Sequence, residues 1–177
     1  MGKLIKFIST EEFIKLLKEE ESKEFKLAYI LAFGSGLRIS EIVGPSKRSN
    51  QEIKPLTRDY INLDTKLIKI FGKGGKERMT IIDPQFPLRE SMLSLLPLHI
   101  PRTTLQARFR RLCKRVLGKS LNFHTLRHGF ANRLINERGI PLPMVQGFGG
   151  WARLDTVGVY AKANPIASVN KVWEGWE

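Results

Sequence analysis

Apolar residues recur at three- and four-residue steps along most of the chain, which predicts helices, and alternate with polar ones in a single stretch near the middle. Ser9 followed by Glu12 predicts a capping box that opens a first helix, with Phe13, Leu16 and Leu17 as its inward stripe. A second helix is expected from about Lys23 into Phe33. Gly34 and Gly36 break it, and Leu37 to Val43 resumes as a short helix carrying Arg38 and Glu41. Residues 44–55 have loop composition. The β-rich run from Leu56 to Phe71 turns at Asp64-Thr65, passes through Gly72-Lys-Gly-Gly-Lys76 and ends in a strand from Glu77 to Ile82.

Pro84, Pro87, Pro97 and Pro101 punctuate the connection to an amphipathic helix over residues 102–119, whose apolar stripe is Leu105, Phe109, Leu112 and Val116. Leu126, Phe130 and Leu134 predict a further helix from about His124 to Arg138, closed by Gly139. The expected fold is α+β, mainly α-helical with a small three-stranded antiparallel sheet, and the 177 residues form a single domain.

Charge sharpens this outline. The net charge of +13 is uneven, because residues 1–24 hold five lysines against six glutamates and the remainder therefore carries +14. Such an excess points to a polyanionic partner. The helix at 102–119 concentrates it, with Arg102, Arg108, Arg110, Arg111, Lys114, Arg115 and Lys119 and no acid among them, which favours phosphate contact over a merely solvated face. No apolar run approaches the roughly 20 residues that span a bilayer, and Glu11 and Glu12 interrupt any leader-like start, so a cytoplasmic location without membrane partners is the expectation. Cys113 is the only cysteine, set among Phe109, Leu112 and Val116, and reads as a small core residue with no disulfide or zinc role.

Candidate chemistry clusters toward the C-terminus. Tyr160 lies thirty-six residues after His124 and nine after Trp151, and a late tyrosine downstream of an imidazole and a guanidinium suggests a nucleophile aimed at a phosphodiester. Arg38 and Arg127 can each fork onto phosphate oxygens. His124 precedes Arg127 by three residues, so both can face one pocket, and an imidazole of pKa about 6.5 suits proton transfer at neutral pH. Lys73, in its glycine-rich turn, can reach a leaving 5′ oxygen as general acid, with Lys76 as its rival. Each residue alone has a structural reading: a salt bridge for Arg38, a cap for His124, a hairpin-tip charge for Lys73, a core-edge aromatic for Tyr160. The glycine-lysine run lacks the spacing of a nucleotide-binding loop, since Glu77 follows Lys76.

Four segments taken together, Gly36-Leu-Arg38-Ile-Ser-Glu41, Gly72-Lys73-Gly-Gly-Lys-Glu-Arg78, His124-Thr-Leu-Arg127-His128 and Gly150-Trp151 leading to Tyr160, resemble in order and spacing the catalytic domain of the tyrosine recombinases, the phage integrase family that includes the Xer proteins. The resemblance implies that Arg38 and Arg127 clamp the scissile phosphate, His124 assists proton transfer, Lys73 protonates the leaving 5′ oxygen and Tyr160 attacks. Trp151 would hydrogen-bond phosphate through its indole N–H and buttress Tyr160. Glu41 would support Arg38, and His128 would be a structural residue beside the second arginine. Lys76, Arg78, Arg102, Arg108, Arg110, Arg111, Lys114 and Arg115 would contact double-stranded DNA. The implied reaction needs no metal, cofactor or ATP, because a 3′-phosphotyrosyl bond conserves the energy of the bond broken. Self-association as a tetramer on DNA is a further implication of the resemblance.

The resemblance also implies a separate N-terminal helical domain, for which eight residues before the first helix leave no room, so residues 1–177 are read as the catalytic domain alone. Gly147, Gly149 and Gly158 each lower helix propensity by up to about 1 kcal/mol, which predicts a mobile Tyr160 segment that is ordered only on DNA or by a neighbouring subunit. Val169, Val172, Trp173 and Trp176 form an apolar tail suited to docking on the same or a neighbouring subunit or to core packing. Two alternative functions share these features: type IB topoisomerase-like DNA relaxation, and a catalytically inactive DNA-binding module.

Overall fold

Ser9 caps the first helix as its spacing to Glu12 predicts. Its hydroxyl accepts from the Glu12 backbone N–H, while the Glu12 carboxylate accepts from the Ser9 N–H, which opens helix α1, Thr10–Glu19. The structure, a computed structural model, describes residues 6–45, 54–72 and 76–161. Lys73, most of the expected 44–55 loop, and the tail residues Val169, Val172, Trp173 and Trp176 lie outside them.

Helix α2, Lys23–Ser35, runs two residues further than its apolar pattern suggests, because Gly34 stays helical and fits beside Phe86. Gly36 then ends it in the left-handed conformation at φ 70°. A Cβ here would lie 2.6 Å from the Phe130 ring, so the turn needs glycine on two counts: backbone sign and close approach. Helix α3, Ile39–Val43, follows at once with Arg38 as its N-cap residue.

A short 3₁₀ turn at Arg58–Tyr60 leads into β1, Ile61–Asn62, then β2, Leu67–Phe71, and β3, Glu77–Ile81. The sheet is antiparallel in the order β1-β2-β3, with Ile68 opposite both Ile61 and Thr80. Asn62 folds the β1–β2 turn by accepting from the N–H groups of Asp64 and Thr65. Helices α4, Glu90–Leu93, α5, Arg102–Leu117, α6, His124–Asn132, α7, Leu142–Gly149, and α8, Leu154–Ala161, complete the chain. The expected mainly helical fold with one three-stranded sheet is the one observed.

Two features depart from the sequence pattern. The helix expected to run to Arg138 is α-helical only to Asn132, after which Arg133–Glu137 forms one wide π turn. The Tyr160 segment, expected to be mobile, is the helix α8 with Val157 and Tyr160 buried against Phe130, Ala131, Leu134 and Val145. This burial, and a hydrogen bond from Asn136 Nδ2 to the Tyr160 carbonyl, offset the low helix propensity of Gly158.

The main core joins α1, α2, α5 and the sheet. Phe13 and Phe33 stack at 4.0 Å between ring centroids, and Phe86 meets both rings edge-on. Each such fully buried ring stabilises by about 1.5–3 kcal/mol. Cys113 is part of this core, and burial pushes its thiol up to about 12, which leaves it protonated and inert. Among the described residues no helix is long and apolar enough to cross a membrane.

Beside the aromatic stack lies a charge pair that the apolar pattern hides. Arg133 and Asp83 are both 1% exposed and meet at 2.8 Å, and the guanidinium carbon lies 4.8 Å from the Phe33 centroid. Asp83→Ala leaves that guanidinium buried without its carboxylate, and should cost about 3–5 kcal/mol in urea denaturation. Replacing both partners by apolar residues of similar volume should recover most of the loss.

Candidate active site

Helix α6 begins with His124, so Arg127 and His128 fall three and four residues on, one helical turn later. Arg127 is 1% exposed. Its Nη1 donates to the Gly36 carbonyl at 2.5 Å, and its Cζ lies 4.0 Å from the Trp151 ring, so the indole covers one guanidinium face. Among the described residues, Arg127 Nε and Nη2 have no hydrogen-bond partner. Burial, and then the charge of Arg38, push the Arg127 pKa down to about 9, which still leaves it cationic at neutral pH.

Arg38 reaches the same place from α3. Its Nη1 donates to Glu41 Oε1 at 2.9 Å and its Nη2 to the Gly150 carbonyl at 2.8 Å, and the side chain remains 39% exposed. The support expected of Glu41 is more extensive than a single ion pair. Glu41 is buried, accepts from the Arg38 backbone N–H at 2.7 Å, and receives both terminal nitrogens of Arg78 at 2.9 Å. Arg78 Nε also donates to the Phe148 carbonyl, which ties β3 to α7. Arg78, placed by sequence among the DNA contacts, is therefore a half-buried brace committed to Glu41.

Trp151 owes its position to Gly149. A Cβ on Gly149 would collide with the indole ring, so this glycine makes room for tryptophan rather than simply loosening the helix. The Trp151 backbone N–H donates to the Gln146 carbonyl, and Gln146 Nε2 donates back to the Trp151 carbonyl. The indole packs against the cluster that buries Tyr160.

Arg38, His124 and Arg127 line one cleft of about 230 Å³ together with Leu37, Ser40, Arg102 and Gln106. Burial, then Arg127 and Arg38, lower the His124 pKa, so its imidazole is neutral at neutral pH. Tyr160 is 4% exposed and is not among the cleft-lining residues. Its hydroxyl hydrogen-bonds His128 Nδ1 instead, an arrangement the sequence did not signal. Burial pushes the phenol up to about 12 despite the opposing charge of Arg127. It pushes His128 down to about 4, with His124 and Arg127 adding to the effect, so His128 is neutral and can accept the phenolic hydrogen.

The cations of α5 divide into two flanks. Arg108 forks onto buried Glu20 and covers the Phe25 ring, Arg115 donates to the Glu19 carbonyl, and Lys119 pairs with Glu12, all on the side facing α1. Arg102, Arg110 and Lys114 are exposed on the other side, as is Lys76 just before β3, while exposed Arg111 lines a groove with Glu20, Arg108 and Arg115. Lys73 lies outside the described residues.

Residues 92–166 match the model of the phage integrase family. The chain is 31% identical over 150 residues to tyrosine recombinase XerD of Lacticaseibacillus casei, covering 73% of this chain and 47% of that protein. It is 32% identical over 148 residues to XerD of Pseudomonas aeruginosa, covering 72% and 46%. The chain thus spans about half the length of the curated relatives it matches. Its fold superposes on the crystal structure of XerA recombinase with a TM-score of 0.68 at 16% identity, covering 98% of this chain and 66% of that one. Superposition on XerH site-specific recombinase bound to difH substrate gives 0.64 at 23% identity, covering 99% and 55%. With the four motifs in register and the same catalytic-domain fold, the chain belongs to the phage integrase family of tyrosine recombinases.

Proposed function

We propose that the chain is the catalytic domain of a site-specific DNA recombinase or integrase, cleaving and rejoining double-stranded DNA through a 3′-phosphotyrosyl intermediate without metal or ATP. The observation that carries this reading is the buried Arg127 guanidinium, with two donor nitrogens that have no partner among the described residues, sharing one cleft with Arg38 and His124. A buried donor without a partner calls for an explanation, and an anionic phosphodiester supplies one. Two guanidiniums on its non-bridging oxygens would offset the charge that builds up as Tyr160 attacks. Trp151 holds Arg127 from one face, and Glu41 and the Gly150 carbonyl hold Arg38. The leaving 5′ oxygen takes a proton from Lys73 or Lys76. The same groups run the reaction backwards, so resealing needs no external energy. Assembly of copies on DNA, as a tetramer, fits a reaction that exchanges strands between sites.

Incubation with a nicked suicide duplex carrying the cognate site, in the presence of EDTA, should give a covalent adduct on a denaturing gel. Tyr160→Phe should give none while binding DNA as tightly as the parent. An adduct that survives Tyr160→Phe overturns the nucleophile assignment, absence of adduct on every site favours a binding module, and relaxation of plasmid lacking a site favours a topoisomerase. Arg127→Ala should slow adduct formation by about 10²–10³-fold, the loss typical of one preorganised electrostatic donor. Glu41→Gln should slow it by roughly ten-fold or more, the equivalent of one charge-assisted hydrogen bond. In salt titrations of DNA affinity, Arg110→Ala should flatten the log–log slope by about 0.9, while Arg108→Ala, already committed to Glu20, should leave the slope unchanged.

A further inference from the structure

Two histidines stand one turn apart on α6, and they face different atoms. His124 lines the cleft with Arg38 and Arg127, whereas His128 has its Nδ1 on the Tyr160 hydroxyl. Their rings meet edge to face at 4.5 Å between centroids, with an interplanar angle of 82°. The geometry points to His128 as the catalytic residue that receives the phenolic proton when Tyr160 attacks, leaving His124 to serve the phosphate. This assignment rests on Tyr160 being the nucleophile.

The step balances as follows. The Tyr160 O–H bond breaks and its proton passes to His128 Nδ1, while the phenolic oxygen uses its electron pair to form the bond to phosphorus. The bond from phosphorus to the 5′ oxygen breaks, and that oxygen leaves with the pair and takes a proton from a separate donor, Lys73 or Lys76. Rejoining returns the His128 proton to the phenol. For Nδ1 to accept, the neutral ring carries its hydrogen on Nε2. In the resting site burial keeps the proton on the phenol, and burial, with His124 and Arg127 adding to it, keeps His128 a weak base, so the nucleophile stays dormant. A phosphodiester bound between Arg38 and Arg127 counters their charge and makes His128 more basic at the moment of attack.

Single-turnover adduct formation by His128→Ala and His128→Asn tests this, on an ordinary suicide duplex and on one with sulfur replacing the bridging 5′ oxygen. Asparagine keeps an acceptor near the Nδ1 position but takes up no proton. Both variants should react about 10²–10⁴-fold more slowly than the parent. His128→Asn should keep the parent's DNA affinity and melting temperature. The defect should persist on the sulfur substrate, whose leaving group departs without a proton. Parent-like rates for His128→Asn reduce the residue to positioning and overturn the inference, as does rescue by sulfur, which would move His128 to the leaving-group side. If His128→Ala does not fold, His128→Asn decides alone. A parent protein that forms no Tyr160 adduct removes the nucleophile reading and this inference together. A parent that does form one, with unaffected His128 variants, removes this inference only.

Discussion

Glu41 takes hydrogen bonds from the Arg38 backbone, the Arg38 guanidinium and both arms of Arg78, all from a position almost closed to water. One negative charge thereby holds two positive ones, and through them α3, β3 and the end of α7 are fixed to each other. Without it, mutually repelling guanidiniums would crowd beside Arg127 with only the Gly150 and Phe148 carbonyls to hold them and no countercharge between them. Burial makes this carboxylate expensive to place, and the density of its hydrogen bonds is what offsets that cost.

The protein handles its other buried guanidiniums in two ways. Arg133 has an internal carboxylate in Asp83 and is a structural element of the aromatic core. Both leave two nitrogens unpaired among the described residues, Nε and Nη1 of Arg133 and Nε and Nη2 of Arg127, but Arg127 has only a carbonyl and an indole and no carboxylate of its own. The contrast lies in the countercharge: Arg133 is neutralised inside the fold by Asp83, and Arg127 is buried without a carboxylate in direct contact among the described residues. The low pKa of His124 and the high pKa of Tyr160 follow from the same dry surroundings.

Much of this was legible in the sequence. Helical periodicity found α1, α2, α5 and the start of α6, and the motifs brought Arg38, His124, Arg127 and Tyr160 into consideration together. Alternation in β3 held a signal for Arg78, because buried Thr80 two residues on puts Arg78 on the same inward side. The bonds of His128 to Tyr160 and of Arg133 to Asp83 left no comparable trace. Each joins residues distant in sequence, and each depends on how α6 is rotated and where its wide turn falls, which periodicity does not specify. Gly149 was legible only as a weak helix former, since the indole that requires its bare backbone arrives from outside the helix.

The division of the α5 cations gives the basic helix a handedness toward its surroundings. Its α1-facing flank is quenched by Glu12, Glu20 and the Glu19 carbonyl, while Arg102 continues directly into the cleft. The uncommitted charge of the helix is therefore gathered on its far flank and at the end that meets the cleft, and is not spread evenly around it. The acids of α1 act in this sense as a blank margin, limiting the directions from which an anionic chain would be attracted.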